Sequence, residues 1–233
     1  MHSFHLPDLS APVVELPPEE SGHALRVLRL KEGERILLVD GKGTTAVGLL
    51  KIEGKHSARV GIIERTVHPV ERTSGIHLAV APTKQIDRYE WMLEKCTEIG
   101  VDRITPLMTS RTERTHLRTD RLRKILVGAM KQSQRAWLPE LDEPVTIEDF
   151  LGQPLPDQRF FGWCEGEHEL LTSAYRTNAA ALLFIGPEGD FTQEEARSLL
   201  TQRFKPVSLG KARLRTETAA IVACTWMNSA QQV

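Results

Sequence analysis

Three groups of residues in this chain have the types and spacing to do chemistry. The first is the turn Gly186-Pro187-Glu188-Gly189, which follows the short apolar run Ala180 to Ile185. Proline sets one φ and the glycines admit positive ones, so four residues can reverse the backbone with little side-chain cover. Behind it Thr192 and Glu195 stand in the T-x-x-E relation of a capping box, which predicts a helix from about Gln193. A strand end, a sharp turn and a helix N-terminus together form the place where open α/β sheets bind ligands. No Gly-Lys-Ser/Thr follows the turn and G-x-G-x-x-G is absent, so neither common phosphate loop is present.

The second group is Val207 to Ala220, VSLGKARLRTETAA, which repeats the plan of strand, glycine turn and helix. Arg213 and Arg215 fall in its turn, and Thr216 or Thr218 is placed to cap the final helix. The third is a concentration of charge: from Arg111 to Arg135 eight Lys or Arg stand against only Glu113 and Asp120. Arginine grips phosphate in two directions and stays charged at physiological pH, so such a cluster beside a ligand turn suits a polyanion. The loop residues Arg111, Arg114 and His116 directly follow a predicted strand, at the sheet edge that holds the Gly186 turn. A further basic face, His23, Arg26 and Arg29 with Lys31 just beyond, lies on an early helix. Each of these features also has a plain structural reading, as a solvated helix face or a tight connection. Together they favour RNA or DNA over a small neutral substrate. Aromatic residues are only 6%, which favours a folded nucleic acid over an extended strand laid on a stacking platform.

These residues need elements to hold them. Residues 1 to about 68 carry short alternating segments, with strands predicted at Arg35 to Val39, Thr45 to Ile52 and Ala58 to Ile63, and a hairpin turn at Asp40-Gly41-Lys42-Gly43. Glu19 to Leu30 has helical spacing, with Leu25, Val27, Leu28 and Leu30 as its buried candidates. The pattern suggests a small β-barrel with one helix. Glu64 to Gly75, polar and containing Pro69, reads as a linker. Beyond it strands alternate with helices, the sign of a mostly parallel sheet. Strands are predicted at Ile76 to Ala81, Ile104 to Met108, Arg159 to Trp163, Ala181 to Ile185 and Pro206 to Leu209, and helices at Ile86 to Ile99, Thr119 to Trp137, Gln193 to Phe204 and Thr216 to Ser229. The first of these helices has the stripe Ile86, Tyr89, Met92, Leu93, Cys96 and Ile99, with Gly100 as its C-terminal cap.

Composition narrows the classes. A chain of 233 residues can bury one large core or two modest ones, and 40% hydrophobic with 26% charged residues is ordinary for a soluble protein. The net charge of -1 makes any electrostatic case for nucleic acid a local one. Met1 to Ser10 shows no signal pattern and no apolar run reaches membrane-spanning length, so a cytoplasmic protein is expected. Cys96, Cys164 and Cys224 are widely spaced without C-x-x-C, which argues against a disulfide framework or structural zinc, and His2 and His5, which could in principle clasp a metal, are too weak a signal to predict one.

The set Glu98-Ile99-Gly100-Val101, Gln132-Ser133-Gln134-Arg135, Ile185 to Gly189, and Leu209-Gly210 through Leu214-Arg215-Thr216-Glu217-Thr218-Ala219 resembles the ribosomal RNA small subunit methyltransferase E family, of the SPOUT class of knotted methyltransferases. The run His23 to Arg29, H-A-x-x-V-L-R, and the Asp40-Gly41 turn also match. The resemblance implies a PUA-like β-barrel over residues 1–70 that helps hold RNA. Residues 74–233 would then form an α/β domain with a C-terminal trefoil knot. It implies methylation of N3 of one uridine in 16S ribosomal RNA from S-adenosylmethionine, by a homodimer, with no metal and no membrane. Carried onto this chain, the cofactor residues are Gly186, Pro187, Glu188, Gly189, Leu209, Gly210 and Leu214, with Leu107 and Met108 at the end of a neighbouring strand. A sulfonium methyl is already activated, so the enzyme has mainly to align it with the attacking nitrogen. The N3 proton must leave, which gives Glu188 a role as acceptor and Arg111 and Arg215 a role in steadying the anion. Glu188 has the competing reading of bonding the amides of its own turn. RNA contacts fall to His23, Arg26, Arg29, Arg111, Arg114 and Arg135. Two departures stand out: Asp190 where many relatives have a second glycine, and Lys131 where a Glu often stands. The rival readings are a non-catalytic RNA-binding assembly factor and another nucleotide-using enzyme on a doubly wound sheet.

Overall fold

In the computed structural model, which describes every residue but Lys55, Thr73 and Val233, the chain divides into two compact units. One comprises Met1–Glu71 together with Val127–Leu138, the other Arg72–Leu126 together with Pro139–Val233.

In the first unit, β1 (Ser3–His5), β2 (Val13–Glu15), β3 (Arg35–Val39), β4 (Thr44–Ile52) and β5 (Ala58–Val67) form one sheet in the order β1-β3-β4-β5-β2. The middle strands form an antiparallel meander, with β1 parallel to β3 and β2 antiparallel to β5. Alternation puts Phe4, Ile36, Leu38, Leu50 and Val60 on the buried face, where Leu16, Ala24 and Leu30 join them. The Asp40 turn forms as predicted: Asp40 Oδ1 accepts from the amides of Lys42 and Thr44 at 2.7 and 2.8 Å, and Gly41 and Gly43 take φ of 71° and 96°. A Cβ on Gly43 would overlap the Trp137 ring.

Two expectations fail here. Glu64 to Val67 is not linker: these residues finish β5, paired with Thr44 to Val47 across the ladder. Val27 is not buried but 67% exposed. The helix α1 (Pro18–Gly22) runs into a π-helical turn over His23–Val27, whose wider i to i+5 bonding rotates Val27 outward and buries Ala24 instead.

The second unit has β6 (Ile76–Val80), α2 (Ile86–Ile99), β7 (Arg103–Met108), α3 (Thr119–Ser133), β8 (Glu140–Leu141), β9 (Val145–Thr146), α4 (Ile147–Leu151), β10 (Gln158–Gly162), α5 (Leu171–Ala174), β11 (Ala181–Ile185), α6 (Gln193–Thr201), β12 (Lys205–Val207) and α7 (Thr216–Ala230). From Val127 onward α3 belongs to the first unit. All the pairings are parallel, in the order β12-β10-β11-β6-β7-β8 with β9 also on β7. Every residue of β11 is buried, as a central strand covered on both faces requires. Below the site, Leu107, Phe161, Phe184, Phe191 and Leu199 pack in one cluster.

The helix starts follow expectation more closely than the ends. Gly100 ends α2 at φ 113°. However, α3 stops at Ser133 and α6 at Thr201, short of the predicted Trp137 and Phe204. There Gln134 and Arg203 turn left-handed at φ 56° and 62°, and the amides of Arg135 and Phe204 bond back to the carbonyls of Met130 and Leu199. These are Schellman-type endings built without glycine.

Candidate active site

The first turn leaves β11 at Gly186 and enters α6 through the predicted capping box. Thr192 Oγ1 accepts from the Glu195 amide at 3.1 Å and Glu195 Oε2 from the Thr192 amide at 2.7 Å. The glycines are not there for positive φ, which falls on Asp190 at 62°. They are there for close approach. A Cβ on Gly186 would lie 3.2 Å from the Phe191 ring, and one on Gly189 would lie 3.2 Å from Arg111 Cδ. Asp190 holds its left-handed conformation with a carboxylate that accepts from the amides of Phe191 at 2.8 Å and Cys164 at 3.0 Å.

The second turn runs from Ser208 through Gly210, at φ 116°, to Arg215, which is the N-cap residue of α7 but supplies no side-chain cap. Thr216 was a candidate cap. It lies instead inside the first helical turn, 5% exposed, and its hydroxyl donates to the Gly186 carbonyl at 3.0 Å. That bond brings the two predicted turns together. Among the described residues, the amides of Gly189 and Leu209 and the carbonyls of Leu209 and Leu214 make no hydrogen bond within the chain. A Cβ on Gly210 would meet nothing within 4 Å. Free main-chain donors and acceptors around an open glycine are what a nucleoside-like ligand needs. Leu107 is fully buried in the core cluster and Met108 half-buried at the end of β7, two strands from β11.

A third segment, Thr109 to Arg118, closes on the first turn. Arg111 Nη1 donates to the carbonyls of Gly189 at 2.6 Å and Phe191 at 3.3 Å, and Glu195 Oε1 accepts from the Ser110 amide at 2.7 Å. Glu188 does not bond its own turn. Its Oε1 accepts from the amide of Lys84, 104 residues away, at 3.0 Å, while Arg114 bonds the Lys84 carbonyl through Nε and Nη2 at 3.2 and 3.0 Å. Lys84 is thus a node of the site that no local motif marked. Arg215 is exposed and has no side-chain partner among the described residues.

The charge cluster is less free than its sequence suggests. Arg118 pairs with Asp120 at 3.1 Å, Arg121 with Glu90 at 2.6 Å and Arg123 with Glu143 at 3.2 Å. In the first unit Lys131 pairs with Glu20 at 2.6 Å and Arg135 with Glu71. His23, Arg26 and Arg29 are all exposed there. His23 and Arg26 line an open cavity of about 490 Å³ with Glu19, Gly22 and Val27.

Nearer the start of the parallel strands, His77 Nε2 meets Thr105 Oγ1 at 2.7 Å, and Asp142 takes a two-point bond from Arg103 at 2.8 and 2.9 Å and another from Thr105. Burial, with the nearby Arg103 charge, lowers the His77 pKa to about 4. His77 is therefore neutral at physiological pH, and its 3.7 Å approach to Asp142 is not an ion pair there.

Comparison with known proteins agrees with this geometry. Residues 70–228 match the family model of an RNA methyltransferase domain, and residues 16–63 that of an RNA methyltransferase PUA domain. The chain is 30% identical over 214 residues to ribosomal RNA small subunit methyltransferase E of Rickettsia conorii, covering 90% of this chain and 87% of that one. A structure from Porphyromonas gingivalis aligns over 100% of this chain and 99% of its own, with 36% identity and a TM-score of 0.91. The Neisseria gonorrhoeae ribosomal RNA small subunit methyltransferase E bound to S-adenosyl methionine aligns over 99% and 98%, with 28% identity and a TM-score of 0.90. With two turns joined at one sheet edge and likeness along nearly its whole length, the chain belongs to the ribosomal RNA small subunit methyltransferase E family.

Proposed function

We propose that this protein methylates N3 of one uridine in 16S ribosomal RNA, using S-adenosylmethionine, in the cytoplasm where small subunits are assembled. The observation that carries the reading is the Thr216 hydroxyl on the Gly186 carbonyl, which sets two turns with free main-chain groups side by side. When bound, S-adenosylmethionine supplies a methyl group activated by its sulfonium. Main-chain groups of Gly186 to Gly189, Leu209, Gly210 and Leu214 would hold it, with Leu107 and Met108 at the edge of the same pocket. Arg111 is assigned to positioning, because its guanidinium is already bonded to the first turn. Arg215, exposed and unpaired among the described residues, is the cation for the uridine anion. Glu188 is held through one oxygen by the Lys84 amide, so its other oxygen is the one left to take the N3 proton.

Residues 1–70 are assigned to a PUA-like barrel that grips RNA through His23, Arg26 and Arg29, aided by Arg114 and Arg135. Residues 74–233 are assigned to the knotted SPOUT domain. A homodimer is part of the reading. Its support is α7, which is apolar nearly all round and leaves Ala219, Ile221, Val222 and Trp226 only half-buried in one chain.

The test is direct. Calorimetry with S-adenosylmethionine should show saturable binding. Incubation with small ribosomal subunits lacking the modification should yield N3-methyluridine, identified by nuclease digestion and mass spectrometry. Binding of RNA without methyl transfer would favour the assembly-factor reading.

A further inference from the structure

We infer that the cavity walled by Lys84, Glu113, Arg114, Thr115 and His116 seats a phosphodiester of the acceptor RNA, and that Glu113 occupies Lys84 until that phosphate displaces it. The inference rests on the methyl-transfer reading above and adds to it a place for the substrate backbone.

The cavity measures about 360 Å³ and opens to solvent. Its wall holds two cations, Lys84 and Arg114, with His116 beside them and Glu113 as the one acid. Arg114 is held in place: two of its nitrogens bond the Lys84 carbonyl, which leaves Nη1 without a partner among the described residues. A guanidinium fixed on one edge keeps its remaining donors in a set plane, the geometry that phosphate recognition uses. Lys84 lines the same cavity. Its ammonium meets Glu113 at 2.8 Å, in a pair whose side chains are 68% and 58% exposed. Water screens an exposed pair of this kind and leaves it weak, so a polyanion that releases counterions on binding can exchange with it.

The cavity is also tied to the donor side of the site. The Lys84 amide bonds Glu188, and Arg111, three residues before Arg114, bonds the Gly189 carbonyl. A phosphate held between Lys84 and Arg114 therefore sits beside the turn assigned to the methyl donor, where the backbone of the target nucleotide has to pass. Glu113 gives the seat selectivity. A small anion must displace a carboxylate in return for a few contacts, whereas an RNA anchored elsewhere supplies its phosphate at high local concentration. The charged groups around Glu113 are Lys84 from the loop after β6 and Arg114 and His116 from its own loop, with Glu188 bonded to the Lys84 amide.

The two members of the pair then have opposite effects, which a merely structural bridge would not produce. Binding of the full-length protein to small ribosomal subunits lacking the modification is measured across a salt series, with S-adenosylmethionine titrated in parallel to check the turn. Lys84→Met should weaken binding roughly threefold to tenfold and reduce the slope of log affinity against log salt by about one. Glu113→Gln, close to isosteric, should tighten binding by a similar factor and steepen the slope by about one, because Lys84 is then left for the phosphate. Weaker or unchanged binding in Glu113→Gln, or an unchanged slope in Lys84→Met, would overturn the assignment while leaving the methyltransferase reading intact. A wild-type protein that binds the subunits with no salt dependence would overturn the phosphate seat alone, and one that transfers no methyl group to them would overturn the methyltransferase reading and this inference with it.

Discussion

Replacing Arg111 by alanine separates two accounts of the same guanidinium. If Arg111 steadies the negative charge of the acceptor base, its loss lowers turnover and leaves donor affinity intact. The structure puts its donors on the carbonyls of Gly189 and Phe191, at 2.6 and 3.3 Å, and packs its Cδ 3.2 Å from where a Cβ on Gly189 would stand. A hydrogen bond from a charged donor contributes about 1.5–3 kcal/mol when buried. Arg111 is exposed, so water replaces much of each bond, and about 1 kcal/mol remains as the expected loosening of the turn. Because about 1.4 kcal/mol is a factor of ten, S-adenosylmethionine affinity should fall roughly threefold to tenfold in Arg111→Ala. Arg111→Lys, with one compact donor in place of a fork, should lie between the variant and the wild type. Calorimetric titration with the cofactor reads the affinity, and single-turnover methyl transfer at saturating cofactor reads the chemistry, expected within about threefold of wild type. Unchanged cofactor affinity with a hundredfold loss of transfer would refute the positioning role and return Arg111 to the acceptor base.

Two further outcomes follow from the geometry. His77 is neutral in the fold because burial and Arg103 lower its pKa to about 4 from 6.5. Its contribution to stability is therefore complete above pH 6.5 and lost as pH falls towards 4, by up to about 3 kcal/mol. Urea unfolding of the wild type should show that decline and His77→Asn should flatten it. Asp142, which burial raises but Arg103 and Thr105 hold below 3.8, acts only in more acid solution. At Asp190 the left-handed φ and the two accepted amide bonds oppose each other on substitution. Asp190→Gly should stay within about 1 kcal/mol of wild type in chemical denaturation, while Asp190→Ala, which keeps the strain and loses both bonds, should be about 1–2 kcal/mol less stable.

Where a structural cause lies within a few residues, the sequence shows it. The bounds of α2 and β11 and the Thr192 capping box follow from apolar spacing and a T-x-x-E pair, and the structure has all three as predicted. The ends of α3 and α6 were hidden because Gln134 and Arg203 take the left-handed conformation that local pattern reserves for glycine. Val27 was misplaced because a π-helical turn breaks the 3.6-residue period on which the burial expectation rested. At the site, both glycine turns were legible, but the Thr216 to Gly186 bond spans 30 residues and that of Glu188 to Lys84 spans 104. Part of the charge cluster is also paired at long range. Its neutralising partners Glu90 and Glu20 lie 31 and 111 residues away, beyond any local count of charge.

The segment Val127–Leu138 gives the first unit an unusual dependence on chain order. Within that unit Gly43 donates to the Ala136 carbonyl, Leu138 to that of Gly41, the Trp137 indole to that of Pro69, and Lys131 pairs with Glu20. A ribosome making this protein therefore releases all five strands of the first sheet well before the piece that completes them. Until residue 138 has emerged, the N-terminal 71 residues lack part of their own packing, and a gene fragment ending at the apparent domain boundary would encode an unfinished fold.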